Sequence, residues 1–161
     1  AGIPRILDVN LRTPFFDAEM ICNSVQLASI LKLSDDELVE VCSACNISKT
    51  DQSEEDVRGL LEFGNLDMVI LTCGKAGAVL VTPDDTVTQN GISTNVIDTV
   101  GAGDAFTAAF LVGQLRGDPH DQNLRNSCEV AAATCAHSGA LPETSVDCSS
   151  NNGMPDCGGL T

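Results

Sequence analysis

The chain has 161 residues, 43% hydrophobic and 19% charged, which is enough apolar material for one core and too much for wholesale disorder. Asp and Glu total 23 against 8 Lys and Arg, a formal charge of −15 that repels phosphate backbones and anionic lipid. With no Trp or Tyr to stack bases, and no apolar run near the ~20 residues of a membrane span, neither nucleic-acid binding nor membrane association is expected.

Residues 1–10 have no basic region followed by an apolar block, so no signal peptide is expected, and they begin without Met. Eight cysteines invite a disulfide or metal reading, but only Cys42 and Cys45 form a C-x-x-C pair, and no second pair or paired His completes a zinc site. Most of the others stand in apolar runs, where a thiol behaves as a small hydrophobe. Buried reduced thiols are the favoured reading, and they suit a cytoplasmic protein.

In chain order, residues 5–10 read as the exit of a buried strand. Residues 17–27 have helical spacing, with Ala18, Ile21, Cys22 and Val25 on one face. Residues 29–33 read as a short strand. Ser34 followed by Asp35, Asp36 and Glu37 has the pattern of a capping box with acids in the first turn, so a helix to about Cys45 follows. Ser53 with Asp56 marks a second helix start, running to about Phe63. The unbroken apolar run of residues 67–72 predicts a strand buried on both faces. Residues 78–82 and 86–89 flank Pro83-Asp84-Asp85, a hairpin turn. Residues 96–100 read as one more short strand. Residues 103–115 form a helix of small residues, and residues 124–137 an Ala-rich helix stopped by Gly139 and Pro142.

This alternation predicts an α/β three-layer sandwich on a mostly parallel sheet. From Glu143 the chain turns to Ser, Asn, Gly and Asp. A domain over residues 1–142 and a disordered tail over 143–161 are the expected organisation.

The stretch Asp98-Thr99-Val100-Gly101-Ala102-Gly103-Asp104 carries the chemistry. A strand runs into two glycines and then a helix, whose first-turn N–H groups and dipole make an anion hole. A carboxylate beside such a hole is electrostatically odd if the hole only holds phosphate. It makes sense if Asp104 takes a proton from a hydroxyl that attacks a phosphoryl group held there. The bland alternative is that Asp104 is merely an acid in a first helical turn. The pattern is no Rossmann fingerprint, since Phe106 stands where the third Gly would fall and no acidic ribose partner follows. Nor is Gly74-Lys75 a Walker A loop, because it lacks the upstream Gly and the following Ser or Thr.

Residues 98–111, DTVGAGDAFTAAFL, resemble the C-terminal signature of the ribokinase-like (PfkB) carbohydrate kinases. Three other pieces agree in order and spacing. Asp8-x-Asn10-x-Arg12 is similar to the D-x-N-x-R segment of fructokinases and 2-keto-3-deoxygluconate kinases. Lys32-x-Ser34-x-x-Glu37 resembles their K-x-N-x-x-E segment in its Ser form, and Thr72-x-Gly74-Lys75-Ala76-Gly77 a T-x-G-x-x-G turn that runs along the nucleotide.

The resemblance implies ATP-dependent phosphorylation of a sugar or sugar-acid hydroxyl, most like fructokinase, with ATP and Mg²⁺ and, in some members, K⁺. By the same resemblance Asp104 is the base, and Gly101, Ala102 and Gly103 form the anion hole. Thr72, Gly74, Lys75, Gly77, Ser34 and Cys128 border ATP. Asn10 and Arg12, with Asp104, reach the substrate. Glu37 organises Mg²⁺ indirectly, and Asp98 lies near a monovalent-cation site. For Arg12, a surface salt bridge is an equal alternative. Family members are longer, with an N-terminal half and a lid that this chain lacks. Two outcomes therefore stand beside catalysis, a truncated nucleotide-binding module without turnover and self-association as a homodimer through the uncovered sheet.

Overall fold

The computed structural model describes residues 3–50 and 52–139. Five strands lie in sequence order in one sheet: β1 (Ile6–Asp8), β2 (Ile30–Ser34), β3 (Met68–Thr72), β4 (Gly77–Val81) and β5 (Thr86–Asn90). β1, β2 and β3 pair in parallel, and β4 and β5 are added antiparallel as a hairpin. Four of the five strands therefore run in one direction.

Each parallel link needs a helical crossover. α1 (Ala18–Leu27) joins β1 to β2, and α2 (Asp35–Ala44) with α3 (Ser53–Gly64) joins β2 to β3. Side chains alternate along each strand, so odd and even residues face opposite layers. Leu31, Leu33, Val69 and Leu71 pack with Val25, Val41, Val57 and Leu60 of α1 to α3. Ile30, Met68, Ile70 and Leu80 pack on the other face with Phe106 and Phe110 of α4 (Ala102–Arg116) and Leu124 of α5 (His120–Cys135). The result is the expected three-layer sandwich. Burying each such Leu, Ile or Phe stabilises it by about 1.5–3 kcal/mol.

Local signals account for the boundaries. The Asp17 carboxylate caps α1 by accepting the Met20 N–H at 2.7 Å. Glu37 reaches back to the Ser34 N–H at 2.8 Å, the capping-box contact expected for α2. α3 starts at Ser53, but the residue capping it is Gln52, and Asp56 is buried with its carboxylate on the Thr50 N–H at 2.7 Å. α5 starts four residues before the expected position, because its first turn is polar and shows no apolar period.

One expectation fails. Residues 96–100 form no strand. β4 is paired on both sides, and this segment adds to neither edge of the sheet. It is held instead by the Ile97 and Asp98 N–H groups on the Cys135 carbonyl, at 2.8 and 3.2 Å, and leaves Val96, Ile97 and Val100 exposed. The expected tail, with Cys148 and Cys157, lies outside the described residues. Cys22, Cys42, Cys45, Cys73, Cys128 and Cys135 are all free thiols. Burial pushes Cys42 up to about 11 and Cys45 up to about 12, so both stay protonated in the core.

Candidate active site

The sheet face under α4 and α5 changes chemistry along its strands. At one end it is Ile6, Ile30 and Met68, and at the carboxyl ends it becomes Asp8, Lys32, Ser34 and Thr72. Open α/β sheets place ligands at the carboxyl ends of their strands, where loops diverge. A cleft of about 770 Å³ opens there, within the range of small-molecule sites.

Two kinds of wall bound the cleft. Ser34, Asp35, Asp36 and Thr72 make it polar at the strand ends. Ile92, Val96, Phe106, Ala131 and Ala132 make it apolar elsewhere. Between them lie Gly74, Lys75 and Gly77 of the turn after β3, and Ala102 and Gly103 at the start of α4. Polar and apolar walls together suit a ligand that has both a phosphate chain and a planar ring. Gly91 holds the two loops together: its N–H donates to the Ala76 carbonyl at 2.9 Å, and a Cβ there would lie 1.9 Å from the Lys75 carbonyl oxygen.

The first turn of α4 faces this space. Gly101 caps the helix in a left-handed conformation, φ 81°, which a side chain would disfavour. Ala102 N–H is drawn to the Thr99 carbonyl at 3.3 Å and Ala105 N–H to Gly101 at 2.9 Å. Among the described residues no protein acceptor meets the N–H groups of Gly101, Gly103 or Asp104. Free donors at a helix N-terminus attract an anion. Asp104 is exposed in the same turn. One turn on, Thr107 donates to the Asp8 carboxylate at 2.7 Å, so Asp104 shares the helix face turned toward β1 rather than the one lining the cleft.

The expected ATP-side residues thus come together: Ser34, Thr72, Gly74, Lys75, Gly77 and Cys128 line one cleft, with Ala102 and Gly103 beside them. Others lie around it. Asn10 and Arg12 are exposed on the loop after β1, and no ion pair forms at Arg12 among the described residues. Glu37 accepts from the Ser34 N–H and hydroxyl at 2.8 and 2.9 Å and from the Leu11 N–H at 2.8 Å. Burial raises its pKa, but these bonds and Lys32 outweigh it and hold the carboxyl below the usual glutamate range. Asp98 takes the Val100 and Gly139 N–H groups, each at 3.0 Å, and those bonds lower its pKa. It fastens the loop before α4 to the loop after α5.

Four features escaped sequence reading. The loop of residues 91–96 forms a wall of the cleft, Asp35 and Asp36 stand on its rim, and Cys135 joins Cys128 in its lining. The Lys32–Asp8 ion pair, at 3.1 Å, joins a buried lysine to a half-buried aspartate that also meets Thr107 of α4. A lone charge inside the run Ile-Leu-Lys-Leu was the signal for that pair. Nothing local marks the loop. Burial pushes the Cys128 thiol up to about 11.

Residues 3–145 match the family described as pfkB family carbohydrate kinase. The chain is 32% identical over 123 residues to ATP-dependent 6-phosphofructokinase of Thermoanaerobacterium thermosaccharolyticum, covering 76% of this chain and 36% of that protein. It is 31% identical over 156 residues to fructokinase-2 of Oryza sativa subsp. japonica, covering 88% of this chain and 44% of that protein. Among solved structures it is similar to aminoimidazole riboside kinase of Salmonella enterica complexed with aminoimidazole riboside and an ATP analog. That match has a TM-score of 0.68 and 30% identity, over 84% of this chain and 46% of that one. The fold is ribokinase-like, and the chain spans less than half the length of these relatives.

Proposed function

The chain belongs to the pfkB family of carbohydrate kinases, and on that premise we propose that it supplies the nucleotide cleft and catalytic base of an ATP-dependent carbohydrate kinase. One observation carries the reading. Unsatisfied N–H groups at the start of α4 lie between a cleft fit for a nucleotide and an exposed aspartate turned toward the opposite side.

In this reading the adenine lies against the apolar wall of Ile92, Val96, Phe106 and Ala131, beside Cys128. The phosphates run past Thr72, Gly74, Lys75 and Gly77 and along Ser34 toward Gly103. The acceptor hydroxyl arrives from the β1 side, where Asn10 and Arg12 can hold a polyol or a carboxylate. Asp104 takes the hydroxyl proton as its oxygen attacks the γ-phosphorus and the bond to ADP breaks. The open N–H groups of Gly101, Gly103 and Asp104, in the turn that also contains Ala102, stabilise the charge on the transferring group.

Mg²⁺ is a hard cation that takes oxygen ligands and keeps several waters. Asp35 and Asp36 present carboxylates on the cleft rim, while Glu37 has three of its acceptor positions filled by the protein. The first two would hold the ion's waters and Glu37 would orient them. The ion supplies neutralisation of phosphate charge. A monovalent ion such as K⁺, where used, would add to the Asp98 brace rather than create it.

The Asp8, Asn10, Arg12 segment and the 31% identity to a fructokinase favour a fructose-like acceptor. The likeness to a riboside kinase keeps nucleosides in the test. The measurement is ADP formation from Mg-ATP with fructose, ribose, 2-keto-3-deoxygluconate and inosine, beside calorimetric ATP binding. Acceptor-dependent ADP formation that Asp104→Asn abolishes supports transfer. ATP binding with no turnover for any acceptor supports a nucleotide-binding module. A folded chain that does not bind ATP refutes both.

A further inference from the structure

Away from the cleft, three thiols gather where α1 packs on α2. Cys22 belongs to α1, and Cys42 and Cys45 stand one turn apart at the end of α2. Cys42 and Cys45 are 1% and 3% exposed in the core shared by α1 to α3, while Cys22 is half-buried at its margin. The two buried thiols have different surroundings. Cys42 feels the Asp56 carboxylate of α3 and the Lys49 ammonium. Cys45 lies against Cys22, with the two thiol groups within hydrogen-bonding reach. Its backbone is fixed, because as the residue ending α2 it donates its N–H to the Val41 carbonyl at 3.1 Å. A thiol at the margin of the core thus touches one sealed within it.

The sealed thiol is not the point of attack. Burial pushes Cys45 up to about 12, so it stays protonated and out of reach of solutes. Cys22 is the accessible partner. A thiol in contact with a second one follows its own course on oxidation, since its sulfenic acid is captured as a disulfide before it oxidises further. We propose that Cys22 and Cys45 form a peroxide-sensitive dithiol site, in which Cys22 is the thiol attacked and Cys45 the thiol that resolves it. In the first step the Cys22 sulfur attacks hydrogen peroxide. An S–O bond forms, the O–O bond breaks, and the thiol proton leaves with the second oxygen as water. In the next step the Cys45 sulfur attacks the Cys22 sulfur. The S–S bond forms, the S–O bond breaks, and the Cys45 proton departs with the hydroxyl as water. The two thiols lose two electrons to one peroxide, which becomes two waters. Cys42, without Cys22 against it, stays reduced. The site does not depend on the nucleotide reading, because Cys45 stands at the end of α2 opposite Ser34, about 15 Å away by helix rise.

The test exposes the full chain to hydrogen peroxide, alkylates the remaining thiols, and maps the unreduced peptides by mass spectrometry. The expected product joins the Cys22 peptide to the Cys45 peptide with the loss of two hydrogens, and dithiothreitol reverses it. Cys45→Ala should lose this cross-link and give several-fold more dimedone adduct at Cys22 than the parent, because the sulfenic acid then has no resolving thiol. Cys22→Ser should leave Cys45 reduced at the same peroxide dose. A cross-link from Cys22 to Cys42, Cys148 or Cys157 in place of Cys45 would overturn the pairing. A Cys22 that remains fully alkylatable after peroxide would overturn the site. Oxidation of Cys45 at the parent rate in a folded Cys22→Ser chain would show that peroxide reaches it directly and would overturn the order of the steps. Where either variant does not fold, the peptide map of the parent chain decides alone.

Discussion

Gly91→Ala isolates the contact that shapes the cleft. The backbone at Gly91 is not left-handed, so alanine's own conformational preference is no obstacle. The obstacle is the Lys75 carbonyl oxygen, 1.9 Å from the added Cβ, with the carbonyl carbon at 2.8 Å. Ordinary contact begins near 3.4 Å, so the two loops must separate by about 1.5 Å. Both are backbone, and neither has a flexible end that could yield. Overpacking of this kind costs about 1–3 kcal/mol, and the Gly91 to Ala76 hydrogen bond adds about 1 kcal/mol if it breaks. For a domain of this size the melting temperature should fall by about 3–10 °C. ATP should bind about five- to tenfold more weakly, because the turn of residues 74–77 and the wall of residues 91–96 no longer close on the same ligand. Gly103→Ala is the control for stability alone, since Gly103 belongs to the proposed anion hole. It also lines the cleft, but its Cβ would meet only the tip of Lys32 at 3.5 Å, an ordinary contact. Calorimetry and thermal melts on both variants give the answer. If Gly91→Ala melts and binds like the parent, the close approach does not hold the cleft together.

Asp104→Asn should lower acceptor-dependent ADP formation by about 10²–10⁴-fold with ATP affinity unchanged, measured by coupled assay and calorimetry. Glu37 has a depressed pKa in the fold, so its stabilisation is fully present above the unfolded glutamate value of about 4.3 and is lost as pH falls through the lower folded value. Glu37→Gln should therefore flatten that acid limb in pH-dependent melts, and an unchanged limb would assign it to other carboxylates. Leu124→Ala, at a fully buried position packed with Phe106 and Phe110, should cost about 2–5 kcal/mol in denaturant titrations. Cys42 and Cys45, protonated well above neutral pH and buried, should resist alkylation at pH 8 in the native chain, as read by peptide mass spectrometry.

Much of the fold was legible because its signals are local. The capping residue Asp17, the Ser34 to Glu37 box, the apolar run of β3 and the Pro83-Asp84-Asp85 turn each act within a few residues, and each element formed close to its expected bounds. Residues 96–100 misled because β-branched residues fit a strand anywhere, while a strand exists only where a neighbour offers hydrogen bonds. The open donors of that loop went to the end of α5, and no count of valines could reveal it.

The site divides in the same way. The glycines and aspartate at the start of α4 were readable, since a helix N-terminus makes its own anion hole whatever surrounds it. Lys32 is a lone charge in an apolar strand, but its meaning depended on two partners far away in sequence. Asp8 lies 24 residues before it, and Thr107 lies 99 residues beyond Asp8. The sequence by itself determined the alternation of strands and helices, the caps, and the local chemistry of the α4 turn, because those depend on neighbours along the chain. Only the tertiary structure decided which strand ends share a face, which loops wall the cleft and which buried charge lies under the helix. Those follow from parallel register and from helix packing across the sheet, contacts between residues that the chain keeps far apart.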